Sequence, residues 1–445
     1  MLQPYRDVLS RPGALAFSAA GALARLPMSM VGIGIVLMVS AVYGSYGLAG
    51  RVSAVYVIAQ AVCSPQLARL VDRHGQARVM RPAVGIATVG LVTLVVATLA
   101  EAPTVLLYVA AAVTGAAIGS FGSLVRARWN RTLGGDPRTI HTAYSLESAV
   151  DELVFVVGPV LATLLATGVQ PAAGLVVALV GMVVGGYWFL AQRSTEPPSA
   201  PAGTPRARGS VLANAGMVVL AVVFVAMGSI FGATDVSTVA FAEEQGRKGL
   251  AGVILAVFAL GSLISGLLYG TRHWRRPLHL RFALGVVALA VGVCFFFLVE
   301  NLVVLAAVMF VTGFAIAPTL INGNGLVQQL VPANRLTEGL TWVGTSLGVG
   351  VSIGSSVAGV LIDREGSHGG YLVVIVSAGF ALVATLAAYR TLRGDAAARV
   401  RGAVEDCSPS ASGGAAVAAC EVADAVEPDD GRRPDGGPGP VPSTP

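Results

Sequence analysis

Residues 47–78 read GLAGRVSAVYVIAQAVCSPQLARLVDRHGQAR, and residues 249–276 read GLAGVILAVFALGSLISGLLYGTRHWRR. Both stretches open on the same four residues, Gly47-Leu48-Ala49-Gly50 and Gly249-Leu250-Ala251-Gly252. Both continue as an apolar run with an aromatic residue at the same step (Tyr56, Phe258) and end in a basic loop (Arg73-His74, Arg272-His273). Each apolar run is about twenty residues long, enough for a helix rising about 1.5 Å per residue to cross a hydrocarbon layer about 30 Å thick. A membrane span recurring at an offset near 200 residues points to an internally duplicated membrane protein.

Outward from this pair, similar runs are expected at 14–40, 47–68, 82–100, 104–125, 140–168, 171–191, 211–235, 249–270, 279–299, 302–326, 338–361 and 370–390. Composition agrees: 55% of the 445 residues are hydrophobic and 12% charged, too few charges for a water-facing surface. The expected fold is an all-α membrane protein of twelve transmembrane helices in two pseudo-symmetric six-helix bundles. Arg138 before span five matches Arg335 before span eleven, so the repeat extends beyond the opening pair. The domains would be an N-terminal bundle at 1–192, a Pro- and Ala-rich cytoplasmic linker at 193–210, a C-terminal bundle at 211–392 and a disordered tail at 393–445.

Arginine gathers on one side, for example Arg69, Arg78 and Arg81 after span two, Arg126, Arg128 and Arg131 after span four, and Arg275 and Arg276 after span eight. The other side carries only Arg51, Arg247, Lys248 and Arg364. The positive-inside rule then places both termini in the cytoplasm of a plasma (inner) membrane protein, and the net charge of +5 is a topology signal that implies no nucleic-acid partner. No cleavable signal is expected ahead of span one. Cys63, Cys294, Cys407 and Cys420 have no metal-ligand spacing, so free thiols and no cofactor are expected. The sole lysine, Lys248, is followed by Gly249, so a phosphate-binding nucleotide loop is missing and the chain is not an ATP-driven pump.

Six plus six similar spans suit a carrier with its substrate site near the bilayer midplane. Span five puts charges there. Glu147, Asp151 and Glu152 precede an apolar remainder too short to cross alone, and Asp151 would lie about 20 Å along the helix. Glu147 and Asp151, four residues apart, share a face. Two carboxylates in one low-dielectric site resist ionising together, so one can take up and release a proton. A structural network with cytoplasmic arginines is the alternative. Arg25, about 16 Å into span one, either neutralises these acids or grips an anionic substrate, or else snorkels at the cytoplasmic edge beside Pro27. Asp235, toward the outer end of span seven, is a candidate for an external gate or proton path. Glycines spaced by four, Gly115 and Gly119 or Gly344 and Gly348, would let helices approach closely.

The segment from Ala68 to Arg78 resembles the loop signature of the major facilitator superfamily, Gly-x-x-x-Asp-Arg/Lys-x-Gly-Arg-Arg, through Asp72, Arg73, Gly75 and Arg78, with Ala68 and Gln76 departing from it. The resemblance implies that Asp72 and Arg73 lock the cytoplasmic side in the outward-open state, with Gly75 allowing the turn. Gly158-Pro159 in span five looks like the core of the family's antiporter signature, although Val160 and Leu161 replace the following glycines. The family's exporters carry a buried arginine in span four, whereas Val109 to Ser123 has no charge here. The resemblance therefore implies a monomeric, non-enzymatic secondary transporter, expected to export a small organic molecule against protons. A proton-coupled uptake symporter on the same fold and a non-transporting membrane sensor are the alternatives.

Overall fold

The computed structural model describes residues 3–198, 210–272 and 274–393. His273, residues 199–209 of the expected linker, and the expected tail apart from Arg393 lie outside the described residues. Nearly everything described is helical, and no strand occurs among the described residues. A short α1 (Gln3–Leu9) precedes α2 (Ala14–Tyr43), α3 (Tyr46–His74), α4 (Gln76–Leu99), α5 (Thr104–Ala117), α6 (Phe121–Thr132), α7 (Pro137–Gly168) and α8 (Ala173–Ala191). The second half contains α9 (Ala215–Glu244), α10 (Ala251–Gly270), α11 (Leu278–Cys294), α12 (Leu302–Gly313), α13 (Ile316–Leu330), α14 (Leu336–Glu365) and α15 (Ser367–Ala387).

Among the described residues, 12 helical stretches are long and apolar enough to cross a membrane, α5 with α6 and α12 with α13 each making one. Several run past the expected ends, to His74, Thr132 and Glu244. The expected spans stopped where apolarity stopped, but a helix stops only where something breaks or caps it. Gly75 is such a stop. At φ 92 it adopts a conformation that costs a side-chain-bearing residue more than glycine, and it alone joins α3 to α4. N-caps start other helices: Ser45 accepts a hydrogen bond from Leu48 N, and Asn301 from Val304 N at 2.9 Å.

The duplication reappears in the breaks. Span four is interrupted between Ala117 and Phe121, where Gly119 has φ 65, and span ten between Gly313 and Ile316. Interrupted helices at corresponding positions of two halves are a mark of carrier folds. Two clusters of buried side chains match the halves. One runs from Val8 to Leu190, joined by Ala317 and Ile321, and the other from Val211 to Leu392. These are the units we propose as the domains 1–192 and 211–392.

Lipid offers no hydrophobic drive between helices, so close packing of small residues holds them. The seam between α9 and α14 is built this way. A Cβ on Gly228 or Gly232 would run into the Leu347 or Val351 carbonyl oxygen, and one on Gly350 or Gly354 into those of Val225 or Ser229. Gly344 and Gly348, expected to serve such packing, instead face open space. Gly350→Val is therefore expected to push α9 and α14 apart and destabilise the chain by about 1–3 kcal/mol. A thermal melt of the detergent-purified protein checks this, and an unchanged midpoint would remove the seam from the account.

Short links return alternate helices to one side. The N-terminus, Gly75, the α6–α7 link, the α10–α11 link and the end of α15 thus share the arginine-rich face, called the basic face below.

Candidate functional site

Three helices bring four charges together beneath the basic face. On α2, Ser18, Gly21 and Arg25 recur at helical spacing and share a side; on α6, Arg126 and Trp129 do; on α7, Glu147 and Asp151 do. Arg25 is 1% exposed and lies between both acids, pairing through Nη2 with Glu147 and through Nη1 with Asp151 Oδ1 at 2.7 Å. Its Nε donates to the Gly21 carbonyl at 3.0 Å. Arg25 is therefore enclosed and paired with both acids, as the neutralising alternative had it.

Glu147 is completely buried and fully engaged. Besides Arg25 it accepts the Ser18 hydroxyl and the Trp129 indole N–H, both at 2.7 Å on Oε1, and Phe17 stacks edge-on against Trp129 with ring centroids 4.6 Å apart. Asp151 is 22% exposed and bridges two guanidiniums, its Oδ2 accepting from Arg126 Nη2 at 2.8 Å. Arg126 is poorly satisfied in return. Its Nη1 reaches the Gly122 carbonyl at 3.3 Å, and its buried Nε has no partner among the described residues.

Arg126 corrects the sequence reading. The hydropathy pattern puts it in a loop beyond an uncharged span four; the helix runs on to Thr132 and buries both Arg126 and Arg128. A signal for it existed. Two acids inside the membrane need two cations, and Arg25 supplied only one. Among the described residues Arg128 makes no bond to an acid; it donates to Gln76 Oε1 at 2.8 Å and sits over the Phe189 ring at 3.8 Å.

The other expected residues divide. Glu152, one step along α7, accepts the Ser262 hydroxyl of α10 at 2.5 Å, a bond between the halves. Asp235 is exposed on α9 and has no hydrogen bond or ion pair among the described residues.

A second polar cluster joins the halves at the basic face. Asp72, at the end of α3, accepts the backbone N–H groups of Thr337 at 3.2 Å and Glu338 at 2.8 Å, capping the start of α14 in the other half. Glu338 answers by pairing with Arg69 at 3.0 Å and Arg335 at 2.8 Å. Sequence reasoning missed Arg69 and Glu338. Arg73 and Arg78 are exposed and form no ion pair among the described residues. On the far side of the interface the Tyr5 hydroxyl donates to the Leu267 carbonyl at 2.6 Å, and Thr142 to that of Gly270 at 2.8 Å. Above these closures an apolar cleft separates α3 from α14, with Val57, Ile58, Ser352 and Ile353 in its walls.

A duplicated twelve-helix bundle, closed at one face and holding a buried charge network in one half, defines the class of membrane carriers. The chain belongs to the major facilitator superfamily, whose family model matches residues 17–277 and 237–412; the members of that family are transporters. Solved structures share the fold. The human organic anion transporter MFSD10 (TETRAN) aligns with TM-score 0.65 at 13% identity, over 85% of this chain and 98% of that one. A bacterial homologue of the iron transporter ferroportin in an outward-facing state aligns with TM-score 0.65 at 17% identity, over 86% and 99%. No curated protein matches the chain in sequence.

Proposed function

We propose that this chain is a proton-coupled secondary transporter that moves a small organic solute by alternating access, with Asp151 as the group that takes up and releases the proton. The observation that supports this is the charge network itself. It holds two acids and two bases in the membrane, and only Asp151 among the four is both reachable and held solely by groups that can turn away. Glu147, locked by three donors, serves as the fixed counter-charge of Arg25. In this reading the protein works as a monomer, both termini are cytoplasmic in the plasma (inner) membrane, and the basic-face closure is the cytoplasmic gate of an outward-open state.

Export against the proton is supported by Gly158-Pro159. Gly158 packs so closely on α2 that a Cβ there would meet Ser29, and the pair resembles the exporters' signature. Uptake together with the proton is favoured by the charge count, because the network is neutral as it stands and gains charge when Asp151 is protonated.

The test uses proteoliposomes with an imposed proton gradient and a lumenal pH dye. Solute-triggered proton movement is expected in the wild type, with its sign giving the direction, and Asp151→Asn is expected to lower it about ten- to hundredfold. Movement unchanged in Asp151→Asn would remove that residue from the mechanism. Absence of movement with every solute would support the sensor reading.

A further inference from the structure

We infer that the Arg25–Arg126 pair is an anion seat, at present filled by the protein's own Asp151, and that the transported solute carries a carboxylate, sulfonate or phosphate that takes this place as Asp151 takes a proton. The inference rests on the proton-coupled reading and names the substrate class for it.

The geometry is that of a carboxylate ligand held by two guanidinium groups. Asp151 Oδ1 lies 2.7 Å from Arg25 Nη1 and Oδ2 lies 2.8 Å from Arg126 Nη2. Such paired N–H donors are matched in shape and charge to any planar or tetrahedral oxyanion. Arg126 is the under-used member: it is 7% exposed, and its Nε is buried without a partner among the described residues. Asp151 is the displaceable member, since it keeps 22% exposure whereas Glu147 keeps none.

Charge balance couples the two events. The network contains Arg25 from α2, Arg126 from α6, and Glu147 and Asp151 from α7, which sum to zero. Glu152 also stands on α7 but turns to Ser262 on α10. The other helices packed on α7 within the membrane, α8, α10 and α13, contain no charged residue. A proton on Asp151 alone would leave one uncompensated positive charge, and an anion alone would leave one negative charge; either is costly beside the enclosed Arg25 and Glu147. One proton and one monovalent anion together restore neutrality. By linkage each raises the affinity for the other, so the two travel in the same direction. No bond is made or broken apart from the proton's transfer to an Asp151 carboxylate oxygen.

The purified full chain in detergent tests this by calorimetric titration with the monoanions benzoate, benzenesulfonate and diphenyl phosphate, with benzamide as the neutral counterpart, in buffers of different ionisation enthalpy. The wild type is expected to bind at least one of the three anions with about one proton taken up, and benzamide at least about tenfold more weakly. Asp151→Asn, which leaves the positive seat open, is expected to bind the same anion without proton uptake and with an affinity independent of pH. Arg126→Gln is expected to abolish binding. Should that variant fail to fold, Arg126→Lys, which keeps the charge but loses the fork, is expected to weaken binding about tenfold. Equal binding of benzamide, binding by the wild type without proton uptake, or no binding of any of the three anions to wild type and Asp151→Asn alike would overturn the seat. A chain that moves protons with a neutral solute yet binds no anion ends this inference and keeps the transporter reading. One that binds an anion with a proton but moves nothing across vesicles does the reverse.

Discussion

Arg25→Met is expected to destabilise the protein by about 3–5 kcal/mol, the cost of leaving a buried charge without its partner. Glu147 sits at 0% exposure, so no water reaches it to replace the lost guanidinium. Its remaining donors, the Ser18 hydroxyl and the Trp129 indole, are neutral and solvate a carboxylate only in part. The effect should vanish in large part when the acid is neutralised as well: Arg25→Met with Glu147→Gln is expected to recover most of the lost thermal stability, because an uncharged amide still accepts from Ser18 and Trp129. The measurement is a double-mutant cycle of melting midpoints for the detergent-purified chain. A single mutant as stable as the wild type, or a double mutant no better than the single, would mean that the pair does not hold α2 to α7.

Asp72→Ala is expected to shift the population from the closed basic face toward an open one by about ten- to hundredfold. Asp72 contributes two hydrogen bonds to the start of α14, each worth about 0.5–1.5 kcal/mol net and together about 1–3 kcal/mol. They join the two halves, so they stabilise this state and are lost when the face opens. Ser145 is the reporter position. It is 0% exposed, and a Cβ on Gly270 of the opposite half would meet its side chain, so Ser145→Cys in an otherwise cysteine-free chain should react slowly with a water-soluble maleimide. Adding Asp72→Ala is expected to raise that rate by the population shift. An unchanged rate would show that the remaining contacts, Tyr5 to Leu267 and Thr142 to Gly270 among them, close the face unaided.

The fold was legible because its signals are local. Twelve apolar runs, the repeated GLAG and the arginine asymmetry each follow from the bilayer acting as solvent, and the family resemblance agreed with them. The ends of the helices were less legible. A hydropathy window ends at the first charges, whereas Arg126 continues a helix that nothing breaks before residue 133, so the charge that completes the network was read as loop. Glu147, Asp151 and Arg25 came together as one of the alternatives foresaw, because helical spacing puts the acids on one face. The basic-face closure was half legible: Asp72 came through the loop motif, but its partners are backbone N–H groups, which carry no sequence signal. Arg69 and Glu338 meet across 269 positions, a distance that neither periodicity nor spacing can bridge.

Gly344 and Gly348 offer a last consequence. The register that matches Arg138 with Arg335 is an offset of 197 (335 − 138), and it matches Glu147 with Gly344 (147 + 197) and Asp151 with Gly348 (151 + 197). One half thus carries ionisable residues at the places where its twin carries glycines. A Cβ at either glycine would meet nothing within 4 Å, so the second half has room for a side chain to start at both places. The duplicated fold thus offers a vacant second register at which ionisable groups can be introduced.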